Sequence, residues 1–331
     1  MPYQYSVILG NLGNTRDRFC SAYKDNRDTR SMLRMAAGIP HVEGIELVGT
    51  WDVTPANAHE MQRELADAGK ACVSIIPDLF GDPDFARGSY SNANPSVRRR
   101  AIDYTLQMAD VARKLGCGLL NIWPGQDGFD YLLCTDYDAY RGWFAEALHE
   151  IASKSPDLRL AIEYKPKEPR CFSLAARMSD TLLVCQEVGL PNVGVCIDTG
   201  HAYVAGESVG ESIALASRAG RDLPGGSRLF HLHFNDNHGT WDDDQIVGTV
   251  HSTTYIETLY WLKRTGYAGW LSMDQYPYRE DAAAAIGESI AWLRRFEQIV
   301  DSESAQIDSL IKTGDPIATS RLLRRALLGS V

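Results

Sequence analysis

Eight short apolar or β-branched runs, each followed by a longer amphipathic run, alternate along this chain without an intervening linker. Residues 5–10, 44–49, 71–77, 118–123, 158–164, 193–198, 229–235 and 270–275 read as strands, because each is a run of strand length rich in Val, Ile, Leu or aromatic residues. Between and after them, residues 25–38, 54–68, 95–115, 137–153, 173–188, 208–219, 253–265 and 282–300 read as helices, with apolar positions three to four apart. Strand–helix alternation predicts a parallel sheet covered by helices, and eight repeats predict its closure into a (β/α)8 TIM barrel; doubly wound sheets usually stop at five or six strands. We expect one catalytic domain over residues 1–300 and a C-terminal helical arm over 301–331, with an amphipathic helix at 320–328.

In such a barrel, reactive groups stand at the C-terminal ends of the strands and in the loops that follow. Glu163 and Lys165 close the fifth strand, and Asp198 closes the sixth, with His201 three residues on. His233 lies in the seventh strand, Asp242 and Asp244 in its loop, and Asp274 near the end of the eighth. A lone strand-end carboxylate is usually a cap or an ion-pair partner; several in register with imidazoles suit a divalent cation better. Glu163, Asp198, His233 and Asp274 make a mostly hard donor set, favouring Mn²⁺, with Mg²⁺ or Co²⁺ as alternatives. His201, Asp242 and Asp244 offer a second set, and Asp198 is the natural bridge, so two divalent cations are expected. His231, on the same face as His233 but deeper, reads as a core or supporting histidine. Asn235, Asp236 and His238 are candidates to orient ligands, whereas Asp243 is expected to face solvent. Trp123 and Phe129 read equally well as pocket wall or as rim packing. Glu168 and Arg170 are expected to pair beneath Lys165, and Arg98, Arg99 and Arg100 to form a solvated helix face.

Composition narrows the partners. A formal net charge of −10 disfavours a nucleic-acid backbone or an anionic membrane as the main partner. There is no 18-residue apolar run and no signal-like start. The seven cysteines, without a CxxC pair, read as reduced residues of a cytoplasmic protein.

Over residues 71–281 the chain resembles the xylose isomerase-like TIM barrel superfamily, and within it the two-metal aldose–ketose isomerases. The resemblance is carried by PDLFGDPDFARGSYSNANPSVRRRAIDYTLQMADVARKLG after the third strand, NIWPGQDGFDY at the fourth and AIEYKPKEPR at the fifth. VCIDTGH, HLHFNDN with its DDD loop, and SMDQYP complete it. The DTGH turn and the seventh-strand stretch resemble bacterial L-rhamnose isomerases most. It implies that Glu163 is a metal ligand, that Lys165 acts on a substrate oxygen beside His201 and Asp242, and that Trp123 walls the sugar pocket. It further implies a metal-assisted hydride shift between C1 and C2 of an unphosphorylated monosaccharide, in a homodimer or homotetramer.

Two departures bear on the substrate. The isomerases proper carry a ring-opening histidine near the end of the second strand, where this chain has Trp51 and Asp52. Its first strand ends Leu9-Gly10-Asn11 rather than in a tryptophan-rich wall. A short, acyclic or readily opened sugar, deoxy and branched ones included, fits better than xylose. The nearest rival is a ketose 3-epimerase of the same superfamily, which uses one metal and two opposed glutamates; here the eighth strand supplies Asp274. A keto-polyol dehydratase ranks third. An apurinic-site endonuclease shares the barrel but needs a basic DNA-binding face.

Overall fold

The computed structural model describes residues 3–13, 20–168 and 170–329. Its eight main strands are β1 (Gln4–Ile8), β2 (Val42–Val48), β3 (Ala71–Ile76), β4 (Leu119–Ile122), β5 (Arg159–Glu163), β6 (Val193–Asp198), β7 (Leu229–Phe234) and β8 (Trp270–Met273). They follow one another in chain order around a closed barrel, and β8 pairs in parallel with β1. This is the expected TIM barrel. Strands covered on both faces carry near-continuous apolar runs, and β4, β6, β7 are buried at every position.

Helices α1 (Thr29–Gly38), α2 (Ala58–Asp67), α3 (Pro95–Lys114), α4 (Tyr137–Lys154) and α5 (Met178–Val188) cover the outside of the first strands. A short α6 (Thr199–Val204) precedes α7 (Val209–Gly220), and α8 (Ser252–Thr265), α9 (Ala282–Thr313) and α10 (Pro316–Leu328) complete the chain. Several starts follow from caps that local composition concealed. Asp28 accepts from the Ser31 N–H, so α1 begins at Thr29 rather than at residue 25. Asn57 folds back to accept from the Thr54 N–H at 2.6 Å, spending residues 54–57 on a turn before α2. The helix expected from residue 173 begins at Met178, because Phe172–Ser173 instead pairs antiparallel with Gly128–Phe129 in a two-strand ribbon over the barrel mouth.

Beyond the last barrel strand, α9 runs without a break to Thr313, so residues 301–313 continue the eighth barrel helix and only α10 is a separate arm. The arm folds back through Gly314, burying Leu322, with Arg325 reaching Glu303 at 3.1 Å. The expected arginine face is present: Arg98 lies over Trp143, Arg99 pairs with Asp103 and Glu150, and Arg100 with Asp82 and Asp84. Among the described residues, no helix is long and apolar enough to cross a membrane.

Candidate metal centre

Strand register gathers the polar residues. His233 stands beside Asp198 across the β6–β7 pair and beside Ser272 across β7–β8, so its imidazole points into the barrel mouth between the ends of β6 and β8. Glu163 lies opposite Cys196 on β6, two residues before Asp198 and on the same face. Two of the resulting groups of donor atoms, each with its atoms within 4.8 Å of one another, gather the expected ligands: Glu163, Asp198, His233 and Asp274, and Asp198, His201 and Asp242. Six of the seven residues expected to hold metal therefore fall into two sets that share Asp198. The seventh, Asp244, belongs to neither set; it sits beside Asp242 and Asp274 with its backbone left-handed at φ 51°.

The DTGH turn explains how Asp198 is held. Its carboxylate caps α6 by accepting from the His201 N–H at 2.9 Å, and its second oxygen accepts from Asn235 Nδ2 at 2.9 Å. Asn235 can come this close only because residue 200 is glycine: a Cβ there would lie 1.9 Å from Asn235 Oδ1.

His201 is oriented from behind. Its Nδ1 lies 3.0 Å from the Tyr164 carbonyl, which can only accept, so Nδ1 donates there, while Nε2 faces Asp242 Oδ2 at 3.1 Å. His233 is fully buried; its Nδ1 makes no hydrogen bond among the described residues, with Glu163 Oε2 at 3.4 Å and Asp274 Oδ2 at 3.3 Å. Asp242 Oδ1 is likewise buried without a partner. Buried polar atoms left without a partner are costly on their own. An imidazole lone pair and several carboxylate oxygens converging on one point are what a divalent cation requires, so the residues fit a metal.

The electrostatics agree. Burial pushes the Asp198 carboxyl up, and despite the opposing His201, the neighbouring Asp242, Asp274 and Glu163 leave it at about 7. Burial, then Asp242 and Asp274, push Asp244 well above the usual carboxylate range. Burial would raise Glu163 too, but His233, His201 and Asn121 hold it at about 2. His201, which burial alone would lower, is drawn up to about 9 by Asp198 and Asp242. This is the field of a pocket with too many anions for its cations.

Lys165 stands beside the second set. Its Nζ donates to Asp242 Oδ2 at 2.9 Å and to Glu168, and lies 5.6 Å from the centre of the Trp123 ring. Burial would lower its pKa, yet Asp242, Glu168 and Asp244 raise it well above the ordinary lysine value. The expected Glu168–Arg170 pair does not form: Lys165 takes Glu168, and Arg170 pairs with Asp130 at 2.9 Å. Trp123 is edge-on to Phe80 at 4.6 Å, which is edge-on to Trp51 at 5.6 Å, giving a three-ring wall. Asp78 pins that wall by accepting from Trp51 Nε1 at 3.0 Å. Phe129 takes no part in it. It belongs to the mouth ribbon, stacks on Phe172 at 5.4 Å, and lines a cavity of about 480 Å³ with Asp130, Tyr131 and Arg170, none of them in either donor set.

Asn235 supports Asp198 as expected, but Asp236 turns away to accept from His251 Nδ1 at 2.7 Å. His238 is exposed, and Asp243 caps its backbone N–H at 3.3 Å. Sequence reasoning missed four supporting residues: Glu46, which accepts from His231 and His233; Asn121, which donates to Glu163 at 2.6 Å; Asn11, which donates to Asp274 at 3.1 Å; and Asp78. A signal existed for two of them. Glu46 in GIELV and Asn121 in LLNI are polar residues inside otherwise apolar strands, which need a buried partner.

Residues 36–296 match the family described as Xylose isomerase-like TIM barrel. The xylose isomerase of Thermus thermophilus is 25% identical over 288 residues, covering 82% of this chain and 72% of that protein. Among solved structures, a D-tagatose 3-epimerase-like protein superposes with a TM-score of 0.69 at 18% identity, covering 91% of this chain and 99% of its own. An L-ribulose 3-epimerase superposes with a TM-score of 0.69 at 17% identity, covering 93% and 98%. At these identities the two structures share the fold.

Proposed function

We propose that this chain, which belongs to the xylose isomerase-like TIM barrel family, is a divalent-metal-dependent aldose–ketose isomerase acting on an unphosphorylated monosaccharide. The observation that carries the reading is the pair of donor sets sharing Asp198, with Lys165 2.9 Å from Asp242 of the second set.

Glu163, Asp198, His233 and Asp274 would hold one cation, and Asp198, His201 and Asp242, with Asp244 beside them, a second; Mn²⁺ suits this donor set best. Bound there, the cations supply Lewis acidity toward neighbouring carbonyl and hydroxyl oxygens of a sugar. Aldose–ketose interconversion moves a hydrogen with its electron pair from C2 to C1 and a proton from the C2 hydroxyl to the C1 oxygen. The protein need not abstract a carbon-bound proton. Lys165, kept protonated by Asp242 and Glu168, donates to the oxygen on which negative charge gathers. Trp51, Phe80 and Trp123 give the mouth an apolar wall that keeps water from one side and accepts the C–H face of a sugar. Asp52 is no substitute for a ring-opening histidine, since it is buried and accepts from the Val48 N–H at 2.9 Å. This favours sugars that open readily. Assembly as a homodimer or homotetramer belongs to the same reading by resemblance, and a cytoplasmic location by the cysteine pattern, seven without a CxxC pair.

A second reading has one observation in its favour. Glu163, at the end of β5, and Asp274, just past the end of β8, lie at similar distances from His233 Nδ1, 3.4 and 3.3 Å. Two carboxylates so placed could exchange a carbon-bound proton between the faces of a ketose, as a 3-epimerase requires. The deciding experiment gives metal-stripped protein a panel of aldoses and ketoses, with and without Mn²⁺, in D₂O. Metal-dependent aldose–ketose interconversion with little deuterium in the product supports the isomerase. Deuterium incorporated at C3 assigns the epimerase, and no turnover of any sugar refutes both.

A further inference from the structure

Below the donor sets, the barrel interior holds a second polar layer that the proposed reaction does not use. Glu46 projects inward from β2 with no exposed surface, between the buried Ile45 and Leu47. A carboxylate in such a place is tolerable only if fully solvated by protein groups. Three serve it: Ser74 Oγ from the adjacent strand, His231 Nε2 at 2.8 Å, and His233 Nε2 at 3.3 Å.

The bond from His233 matters most. A neutral imidazole has one N–H, and whichever ring nitrogen carries it cannot bind a cation. Acceptors stand at both nitrogens of His233, Glu46 at Nε2 and Glu163 and Asp274 at Nδ1; with an ion on Nδ1 the ring keeps one proton, on Nε2, where Glu46, which can only accept, receives it. His201 has the opposite arrangement, since the Tyr164 carbonyl holds its proton on Nδ1. We propose that Glu46 is a positioning residue of the metal centre, holding His233 in the Nε2-protonated tautomer that presents Nδ1 to the ion. The proposal rests on the reading of His233 as a ligand. His231 and Ser74 would in turn fix Glu46, so the support passes from β3 and β7 through β2 to the metal. Carboxylate–histidine pairs behind a metal commonly change its affinity 10–100-fold.

Glu46, His231 and His233 also have the donor types of a cation site of their own, and counting ions separates the two roles. Metal-stripped wild-type protein and Glu46→Gln are titrated with Mn²⁺, following affinity and the number of ions bound at saturation. The expected result is an unchanged number of ions with one affinity weakened about 10–100-fold. Unchanged affinity overturns the proposal, and so does loss of an ion at saturation, which would make Glu46 a ligand. Wild-type protein that binds no Mn²⁺ sinks the metal centre itself and this inference with it; normal wild-type binding with an indifferent variant sinks only Glu46. A measurement on the wild type alone covers a variant that does not fold. In ring-nitrogen NMR with diamagnetic Mg²⁺, the two imidazoles that respond to the ion should be opposite tautomers, one Nδ1-protonated and one Nε2-protonated. Two Nδ1-protonated rings overturn the proposal.

Discussion

Lys165 is held by two carboxylates, Glu168 and Asp242, in surroundings that would otherwise favour its neutral form. Its charge is therefore built in, and the proposed function assigns that charge to an oxygen of the substrate. Replacing Lys165 with Met should lower kcat about 10²–10³-fold, the range for losing a preorganised donor to a developing oxyanion, while the number of Mn²⁺ ions bound stays the same. Near-wild-type turnover would remove Lys165 from the chemistry. Asp242→Asn tests the other side of that pair. It weakens the anionic character of the second donor set but not the first, so one Mn²⁺ affinity should fall and most turnover with it, at unchanged far-UV circular dichroism. A variant that keeps both affinities and its activity would rule out a second ion.

The elements around the mouth show how small local devices set the site. The turn after β2 carries Asp52, whose buried carboxyl is pushed up to about 7 by desolvation, against the Val48 N–H that favours its charge. Its ordinary value is 3.8, so the folded protein binds a proton that the unfolded chain releases between those two values. The stability this confers is fully present below about pH 4 and is lost as pH rises toward 7. Asn at this position keeps an acceptor for the Val48 N–H and never ionises. Asp52→Asn should therefore gain on wild type between pH 5 and pH 8, by up to ~3 kcal/mol at 1.36 kcal/mol per pKa unit. Urea unfolding at both pH values reads this directly; a pH-independent difference would show that Asp52 does not titrate there. The neighbouring Trp51 is anchored by Asp78 rather than by packing alone, and half its surface stays exposed at 48%. An aromatic wall fixed at one ring edge and open on its face suits a ligand that comes and goes.

On the scale of the whole molecule, the last four strands of the barrel and their loops bring carboxylates to one point, and the fold bears a mutual repulsion that bound cations would relieve. Ligands that bind only the folded state stabilise it by about 2.7 kcal/mol at one hundred times Kd. Saturating Mn²⁺ should accordingly raise the Tm of metal-stripped protein by roughly 5–10 °C. Glu163→Gln should lose most of that rise, and a Mn²⁺ shift as large as in wild type would mean that Glu163 is not a ligand.

The barrel itself was legible in the chain, because burial on both faces of parallel strands and on one face of each helix writes a local hydrophobic period. Chemistry-bearing residues at strand ends were legible for the same reason: in this architecture the end of a strand is a known place, and Glu163, Asp198 and Asp274 could be put there by counting. DTGH even carried its own reason for a glycine, although the clash it avoids belongs to a strand the turn does not contain. What the chain could not disclose were pairings set by closure. Asn11 reaches Asp274 across 263 residues and His231 reaches Glu46 across 185, and neither distance leaves a trace in spacing. Glu168 chose Lys165 over Arg170, and Phe129 went to the mouth ribbon, because two-residue strands carry too little pattern to be read. Sequence decided which groups would face the mouth; only the closed barrel decided which nitrogen of each histidine would face the gathered carboxylates, since that depends on the acceptor standing behind it.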